Sequence, residues 1–534
     1  MLALLALRAL GAGAPPLRGQ QPSVDILAYH FRIDIPDTGT TIRGLGSVFF
    51  EPRAGWDDTL RLDLVGMSVR RVFDVNTLRL LPIRYDGRML KVVIRGARAR
   101  PPSGRRGVVV EYSGSPRDGL IIRDNARGRR SAFGDNWPDR ARYWLPTVDH
   151  PSDKARVLWS IRVPRGWQGV ANQPECAPPP PVPPRRCNES APIPTYAMVL
   201  GATQLARSIH RPLLRGRDAV PIEVWTYRED SAFADSVPFR RATDIAATLQ
   251  RIVGPFPYAR LSHVQSSTRY GGMENSTVIF YSESSYVHRT MREGVVRHET
   301  AHQWFGDAVT PADWAHLWLS EGFATYFDGV TAAALDGDSV LRPFMRRARE
   351  SYIGSNVVDR PVIDTLETDP NRLLNANSYQ KGAWVLHMLR GEVSDGRFFR
   401  GVREYYRRYR DSSVTTDRFR REMERASGTS LGWFFDQWLR QPGYPQLDVA
   451  WRADSAAGHA YLTIRQVQPA AWGRYRLPRV TVDFVLSGGR TERRTFVVDP
   501  QFAEQVASFP LPAVPVEVVV DPDGQLLLTA RVHR

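Results

Sequence analysis

Two histidines four residues apart constrain this 534-residue chain more than any other feature of its sequence. They are His298 and His302, and Glu299 follows the first of them. Residues four apart on an α-helix lie on one face, about 40° from each other, so the two imidazoles can point at one metal ion. Glu299 then lies beside the metal, where a base for a water molecule is needed. We therefore predict a buried helix that stops at Gly306. Its apolar face is formed by Val295, Val296, Ala301, Trp304 and Phe305.

The pattern H-E-x-x-H is typical of zinc metalloproteases, and a catalytic zinc takes three protein ligands. The predicted third ligand is Glu321, which has eighteen residues between it and His302. We predict that Glu321 opens a second helix, that Ser320 caps it, and that its apolar side chains pack on the first helix. Those side chains are Phe323, Ala324 and Phe327. Three such ligands leave one position for water, so we expect one Zn²⁺ per chain.

Two further motifs flank this stretch. Gly271-Gly272-Met273-Glu274-Asn275 precedes it and Tyr379-Gln380-Lys381-Gly382 follows it. Together with the H-E-x-x-H pattern and the spacing to Glu321, they resemble the motifs of the gluzincin peptidases, and within these the aminopeptidase N family. The resemblance implies a thermolysin-like catalytic domain, a zinc held by His298, His302 and Glu321, and removal of N-terminal residues from peptides.

The resemblance also implies a role for individual side chains. Glu299 would take a proton from the attacking water, and Tyr379 would donate a hydrogen bond to the oxyanion that forms. Glu274 would bind the free α-ammonium of a peptide, because a carboxylate makes a charge-assisted hydrogen bond with it. The predicted substrate-binding residues are Gly271, Gly272, Met273 and Glu274.

The sequence departs from the family at a second amine-binding residue, which relatives supply from the N-terminal domain. That place falls on Trp137 here, and Asp135 or Asn136 is a candidate substitute. Position 307 is Asp where many relatives carry Asn, and Asp307 is expected to accept a hydrogen bond outside the metal ligands. The segment 142–151 resembles a family segment with a structural role at the domain contact.

The hydrophobic pattern predicts a multidomain α+β fold. Period-2 alternation predicts an N-terminal antiparallel β domain over 21–207 and a C-terminal β-sandwich over 443–534. The catalytic domain over 208–442 is expected to be α/β first and then mainly helical. Helical spacing is found at 244–253, 379–390, 398–410, 418–426 and 431–439. We expect the three-domain form of the family, without the helical C-terminal domain of longer relatives.

The N-terminus and the cysteines favour export. Residues 1–20 are apolar at first and then rich in small residues, which indicates a signal peptide. The two cysteines, Cys176 and Cys187, bracket a proline-rich loop and predict a disulfide, with two free thiols as the alternative. No run of eighteen apolar residues is present, so no membrane span is expected. The predicted location is periplasmic or secreted.

The formal net charge of +16 comes almost entirely from arginine, since Lys91, Lys154 and Lys381 are the only lysines. The basic residues are scattered, so a compositional bias explains them better than a nucleic-acid partner. One local cluster carries no predicted function: Arg105, Arg106, Arg127, Arg129 and Arg130. The expected partner is a peptide with a free N-terminus, and the sequence leaves the oligomeric state open.

Other functions remain open. A zinc endopeptidase resembling thermolysin shares the metal ligands but does not need Glu274 as an amine anchor. A non-catalytic peptide-binding scaffold is disfavoured, because every expected zinc and catalytic residue is present. Epoxide hydrolysis on lipids belongs to one branch of the family, and nothing in the sequence selects it.

Overall fold

The computed structural model describes residues 21–94, 106–172, 190–214 and 219–534. Its elements form three blocks: a strand-rich first block, a mixed sheet followed by helices, and a strand-rich last block. This arrangement confirms the predicted multidomain α+β class. The predicted signal at 1–20, Cys176 and Cys187 lie outside the described residues. In the described part of the chain, no helix is long and apolar enough to cross a membrane.

The described first block holds three sheets, with the orders β12-β10-β1-β2-β7-β4, β11-β13-β9-β8 and β3-β6-β5. The strands are β1 (Val24–Asp34), β2 (Ile42–Pro52), β3 (Thr59–Asp63), β4 (Ser68–Asp74), β5 (Ile83–Tyr85), β6 (Met89–Val93), β7 (Arg106–Gly114), β8 (Leu120–Asp124), β9 (Arg130–Gly134), β10 (Lys154–Arg162), β11 (Gln168–Ala171), β12 (Ile193–Pro194) and β13 (Leu200–Thr203). One pair corrects the expectation of an antiparallel domain, because β1 and β10 run parallel. Eight strands lie between them in the chain, so β10 returns by a long crossover rather than by a hairpin.

The middle block opens with a five-stranded sheet of order β14-β15-β16-β18-β17. Its strands are β14 (Ala206–His210), β15 (Ile222–Thr226), β16 (Leu261–Ser266), β17 (Gly272–Met273) and β18 (Val278–Ser282). The boundary predicted at 207 falls within β14. Strands β15, β16 and β18 run parallel, and the edge strand β17 is antiparallel to β18. The predicted substrate segment therefore lies at an edge of the sheet.

Helices complete the middle block. They are α1 (Ser231–Ser236), α2 (Ala242–Val253), α3 (Glu283–Val287), α4 (Glu293–His302), α5 (Trp318–Asp336), α6 (Leu341–Ile353), α7 (Gly382–Val393), α8 (Asp395–Tyr409), α9 (Thr416–Ser427) and α10 (Gly432–Phe435), with the short strands β19 (Val309–Pro311) and β20 (Ser412–Val414). The predicted helices correspond to α2, α4, α5, α7, α8, α9 and α10. Helix α6 escaped prediction because it buries few residues along a charged sequence; these are Met345, Ala348 and Tyr352.

The last block has two sheets, of order β25-β22-β21-β27 and β24-β23-β26. The strands are β21 (Gln446–Asp454), β22 (His459–Gln466), β23 (Leu477–Leu486), β24 (Thr491–Val498), β25 (Glu504–Pro510), β26 (Pro515–Val520) and β27 (Thr529–His533). Phe484 of β23 packs on Phe509 of β25 with ring centroids 5.3 Å apart, so the two sheets face each other.

Charged contacts join the first block to the middle block. Arg127 Nη2 lies 2.5 Å from Asp230 Oδ1, and Arg129 Nη2 lies 2.6 Å from Glu229 Oε2. Two members of the basic cluster that sequence left without a function thus pair with acidic residues of the neighbouring block. In segment 142–151 the backbone N–H of Arg142 donates to the carboxylate of Asp149 at 3.0 Å, and the carbonyl oxygen of Pro151 accepts from Ser413 Oγ of the middle block at 2.9 Å.

Candidate metal and active site

The side chains of His298, His302 and Glu321 converge between α4 and α5. The two Nε2 atoms are 3.1 Å apart, and Glu321 Oε2 lies 3.4 Å from His298 Nε2 and 3.3 Å from His302 Nε2. All three candidate ligand atoms therefore lie within 4.8 Å of one another. The structure brings together the three residues that the spacing selected, with one imidazole per turn of α4 and the carboxylate on α5.

This donor set fits a zinc ion. Two imidazoles and one carboxylate form a known ligand set for catalytic zinc. Glu321 Oε2 is buried and has no hydrogen-bond partner among the described residues. Burial lowers the pKa of His302, but the carboxylates of Glu321 and Glu274 outweigh it and raise that pKa to about 10. The carboxylates of Glu321 and Glu274 thus favour a positive charge beside His302, and a bound metal cation supplies such a charge.

The orientation of the His302 ring is fixed by contacts of Nδ1, the nitrogen that does not face the other metal ligands. Its Nδ1 lies 3.1 Å from the carbonyl oxygen of Phe305 and 3.0 Å from Ser320 Oγ. With the Nδ1–H donated to that carbonyl, Nε2 keeps its lone pair for the metal. A Cβ on Gly306 would lie 2.4 Å from Ser320 Oγ, so glycine is needed beside this contact. Gly306 has a φ of +124°.

The prediction that Ser320 caps α5 is wrong. Helix α5 begins at Trp318, its N-cap Leu317 makes no side-chain hydrogen bond, and Ser320 lies inside the first turn. The reason is that the 3₁₀ turn Trp314–His316, which Asp313 caps, runs directly into α5. Ser320 instead serves the metal site through His302.

Glu299 is buried beneath the edge strand β17. A Cβ on Gly272 would lie 2.1 Å from Glu299 Oε1 and 2.4 Å from its Cδ, so the β17 backbone touches the carboxyl group and leaves no room for a side chain. A Cβ on Gly271 would meet open space. Burial raises the pKa of Glu299 well above its ordinary value, against the opposing effect of His302. A raised pKa makes this carboxylate a stronger base.

Glu274 lies close to Glu299 and His302. Its side chain is 6% exposed, and its carboxylate lies within 4.8 Å of the ligand atoms of Glu299 and His302. The carbonyl oxygen of Glu274 accepts a hydrogen bond from Gln303 Nε2 at 2.8 Å, and Gln303 Oε1 accepts one from the Thr277 N–H at 2.8 Å. Gln303 thus ties the substrate segment to the end of α4. Sequence reasoning missed it, and its place directly after His302 was the available signal.

Tyr379 faces the metal ligands from a π-helical turn, Asn377–Lys381, that leads into α7. Its ring is stacked on that of His298, with centroids 6.0 Å apart and planes 10° apart. Burial and then the carboxylate of Glu321 raise the pKa of the phenol, so the hydroxyl keeps its proton. The turn is pressed onto α5, because a Cβ on Gly382 would lie only 2.9 Å from the Cα of Gly322.

Comparison with known proteins agrees with this geometry. A family model described as the peptidase family M1 domain matches residues 224–438. Residues 224–438 thus form a peptidase family M1 domain. Among solved structures, aminopeptidase A of Legionella pneumophila, in complex with aspartic acid, is 17% identical, with a TM-score of 0.79 over 96% of this chain and 60% of its own. An M1 zinc metallopeptidase of Deinococcus radiodurans is 25% identical, with a TM-score of 0.67 over 79% of this chain and 95% of its own.

Curated relatives are longer than this chain. Glutamyl aminopeptidase of Sus scrofa is 26% identical over 347 residues, which make up 60% of this chain and 35% of the relative. The matches span between 35% and 43% of the length of the first three curated relatives. The likeness to these proteins is therefore a likeness to part of each.

Neither candidate for a second amine-binding residue of the M1 domain has a free side chain. Asn136 accepts a hydrogen bond at 2.8 Å from Trp144 Nε1, and its amide donates to backbone carbonyls. Asp135 is fully buried, with Oδ2 at 2.8 Å from Arg269 Nε and 3.3 Å from Arg140 Nη2. The Asp135 carboxylate thus joins the first block to the M1 domain through Arg269, whereas the Asn136 contacts lie within the first block.

Trp137, at the predicted place of that residue, is buried. Its ring lies 5.3 Å from that of Trp314 and 6.0 Å from that of Tyr270, and it shares an apolar cluster with Met273. An indole thus stands where a polar amine-binding group was expected, which leaves Glu274 as the amine-binding candidate in the M1 domain.

Asp307 accepts a hydrogen bond, as predicted, but not from a metal ligand. Its Oδ2 accepts from Gln303 Nε2 at 2.8 Å. The carbonyl oxygens of Asp307 and Ala308 accept from Lys154 Nζ at 2.7 and 2.9 Å. Lys154 begins β10, so the first block bonds directly to the segment that follows the metal-binding helix.

Proposed function

We propose that this protein is a zinc-dependent aminopeptidase that removes residues from the free N-terminus of peptides. The observation that carries the proposal is the position of the Glu274 carboxylate, within 4.8 Å of a ring nitrogen of the metal ligand His302 and of a carboxylate oxygen of the base Glu299. A carboxylate so close to a metal ligand can bind the α-ammonium of a peptide. The first peptide bond of that substrate then lies at the metal. Relatives named aminopeptidases, such as that of Sus scrofa, support the proposal.

His298, His302 and Glu321 would hold the zinc, which when bound polarises the scissile carbonyl and lowers the pKa of water. Glu299 accepts the proton of the attacking water and passes it to the leaving amine. The close contact with Gly272 holds the Glu299 carboxyl group in place beneath β17. The base therefore needs little reorganisation during the reaction.

Tyr379 donates its O–H to the carbonyl oxygen as that oxygen gains negative charge. The hydroxyl is suited to this because burial and Glu321 keep it protonated. Such a donor acts mainly in the transition state, and its removal typically costs about 10²–10³ in turnover. Glu274 acts on the ground state as well, since it binds the ammonium and sets the register in which only the first peptide bond reaches Glu299.

Two fluorogenic peptides test this function, one with a free N-terminus and one acetylated, each with and without a chelator. Cleavage of the free-amine peptide alone, lost on chelation and restored by Zn²⁺, is the expected result. Equal cleavage of both peptides would mean a thermolysin-like endopeptidase. Cleavage of neither, with zinc still bound, would mean a peptide-binding scaffold.

We also propose an extracytoplasmic location with a disulfide between Cys176 and Cys187. The apolar leader at 1–20 and the loop-like spacing of the cysteines support it. Intact-mass measurement of exported protein, with and without reduction before alkylation, tests the disulfide. Alkylation of both cysteines without reduction would contradict it.

A further inference from the structure

Lysine is rare in this chain, which makes the position of each lysine informative. Three of its 72 basic residues are lysines, and the other 69 are arginines. Lys91 is exposed on β6, whereas Lys381 is fully buried at the end of the turn that carries Tyr379. An ammonium is compact and a guanidinium is a wide planar fork, so a buried lysine marks a place where the smaller cation is needed.

The surroundings of Lys381 do not compensate its charge with a carboxylate. Its Nζ donates to the carbonyl oxygen of Gln441 at 3.1 Å and lies 5.6 Å from the ring centroid of Tyr352. Among the described residues no ion pair is formed by Lys381, and burial lowers its pKa to about 7. Burying an ammonium without a carboxylate partner costs free energy, so a contribution to stability does not by itself explain why a lysine occupies position 381.

Lys381 fixes the C-terminal end of the π-helical turn Asn377–Lys381 through its hydrogen bond to Gln441. At the other end, the Asn377 amide donates to the carbonyl of Val357 at 2.8 Å. Gly382, directly after the turn, is pressed onto Gly322 of α5. Single π-helical turns are rare and are frequent at functional sites, and these outer contacts hold the turn that carries Tyr379.

The partner of Lys381 belongs to the segment that joins the M1 domain to the last block. Gln441 Nε2 donates to the carbonyl of Trp472, and Gln441 lies five residues before β21. The hydroxyl of Tyr352, whose ring faces Lys381, donates to the carbonyl of Gly443 at 3.3 Å. The ammonium therefore connects the turn that carries Tyr379 with the start of the C-terminal sheets.

We propose that Lys381 is a positioning residue that aims the Tyr379 hydroxyl by fixing its turn to the segment 441–443. The inference rests on the proposed aminopeptidase function, because Tyr379 contributes to turnover in that reaction. Lys381 itself touches neither the metal ligands nor the peptide in this scheme. It acts through Tyr379. Because its partner segment 441–443 leads into the last block, that block would help to position Tyr379.

The test compares K381M with K91M, which removes an exposed ammonium from the same chain. We expect K381M to lower kcat on the free-amine peptide at least tenfold, with KM within twofold and zinc content unchanged, and K91M to match the wild type. The double variant K381M/Y379F should be no slower than Y379F alone, because the two residues act as one unit. A wild-type kcat in K381M, or losses that multiply in the double variant, would overturn the inference.

Two further measurements keep the inference testable. If K381M does not fold, K381R is used instead, because it keeps the charge with a larger head group. We expect K381R to have a lower kcat at an unchanged KM. A wild-type kcat in K381R would overturn the proposal. If the wild type cleaves neither peptide, the proposed function fails, and 3-fluorotyrosine placed at position 379 tests the positioning alone. Its ¹⁹F resonance should shift or broaden in K381M and stay unchanged in K91M. Identical resonances in all three proteins would overturn the positioning role.

Discussion

Gly272 and Glu299 are in such close contact that a Cβ on the glycine would overlap the carboxyl group of the glutamate. The strand that presents the substrate segment and the helix that presents the base are therefore packed without a side chain between them. The strand that would set the register of the peptide and the base that would act on it are therefore coupled, because a displacement of β17 also displaces the Glu299 carboxyl group.

Replacing Gly272 with alanine tests this contact. We expect G272A to lower kcat/KM by about 10²-fold, within the range attributed to a positioned general base, because the new methyl group displaces the Glu299 carboxyl. Zinc content should stay at one per chain. G396A is the matched control, since a Cβ on Gly396 of α8 meets open space away from the site, and it should be near wild type. Equal activity in both variants would show that the contact is unimportant.

Removing one metal ligand should remove the metal. H298A leaves two of the three donors, so we expect zinc content measured by mass spectrometry to fall well below one per chain, and activity to be lost with it. H288A is the control, because His288 is an exposed histidine ten residues earlier. E299Q should keep the zinc and lose activity. Full zinc occupancy in H298A would contradict the ligand assignment.

Glu274 should act on amine recognition. E274Q keeps the shape of the side chain and removes its charge, and a hydrogen bond to a charged group is worth about 1.5–3 kcal/mol. We expect kcat/KM for the free-amine peptide to fall about 10- to 100-fold, chiefly through KM. The acetylated peptide reports on the alternative, because its cleavage by E274Q at the free-amine rate would mean that the glutamate merely excludes blocked substrates.

The buried carboxylate of Asp135 should contribute to stability. It faces Arg140 and Arg269, and D135N leaves those guanidinium groups without its charge, a change that typically costs about 3–5 kcal/mol. Asp118 contacts the same Arg269 at 2.6 Å but is 29% exposed, so D118N should cost less than about 1 kcal/mol. Urea unfolding followed by tryptophan fluorescence measures both. Equal losses would mean that burial does not set the strength of this network.

Acid should destabilise the fold through His263 of β16. This side chain is fully buried, and burial, with a smaller effect of His210, lowers its pKa to about 3. The unfolded chain binds a proton near pH 6.5 and the folded protein does not, so stability is complete above pH 6.5 and falls as pH drops below it. At about 1.4 kcal/mol per pH unit, the loss between pH 6.5 and pH 5 is about 2 kcal/mol. H263N should flatten this slope in urea midpoints, and an unchanged slope would exclude His263 as its source.

The metal site was predictable because its geometry is local. A four-residue spacing fixes the relative direction of His298 and His302 on any α-helix, and a single further helix supplies Glu321. The order of the blocks followed in the same way from the period of the apolar residues. These features depend on neighbours along the chain, which a sequence displays directly.

The supporting contacts were not predictable, because each joins residues far apart in the chain. The place of Ser320 before Glu321 predicts a helix cap, yet its hydroxyl contacts His302, eighteen residues earlier. Lys154 donates to the carbonyl oxygens of Asp307 and Ala308, and a backbone carbonyl carries no mark in a sequence. The parallel pairing of β1 with β10 likewise depends on where the chain returns after eight other strands.

The hydrogen bonds from Lys154 have a consequence for the size of the working enzyme. A fragment that starts after the first block would keep every predicted ligand, base and donor, and all of the residues that the family model recognises. It would nevertheless lose the ammonium that binds the carbonyls of Asp307 and Ala308. We therefore expect the smallest autonomous catalyst to exceed the recognisable peptidase segment and to include the strand that begins at Lys154.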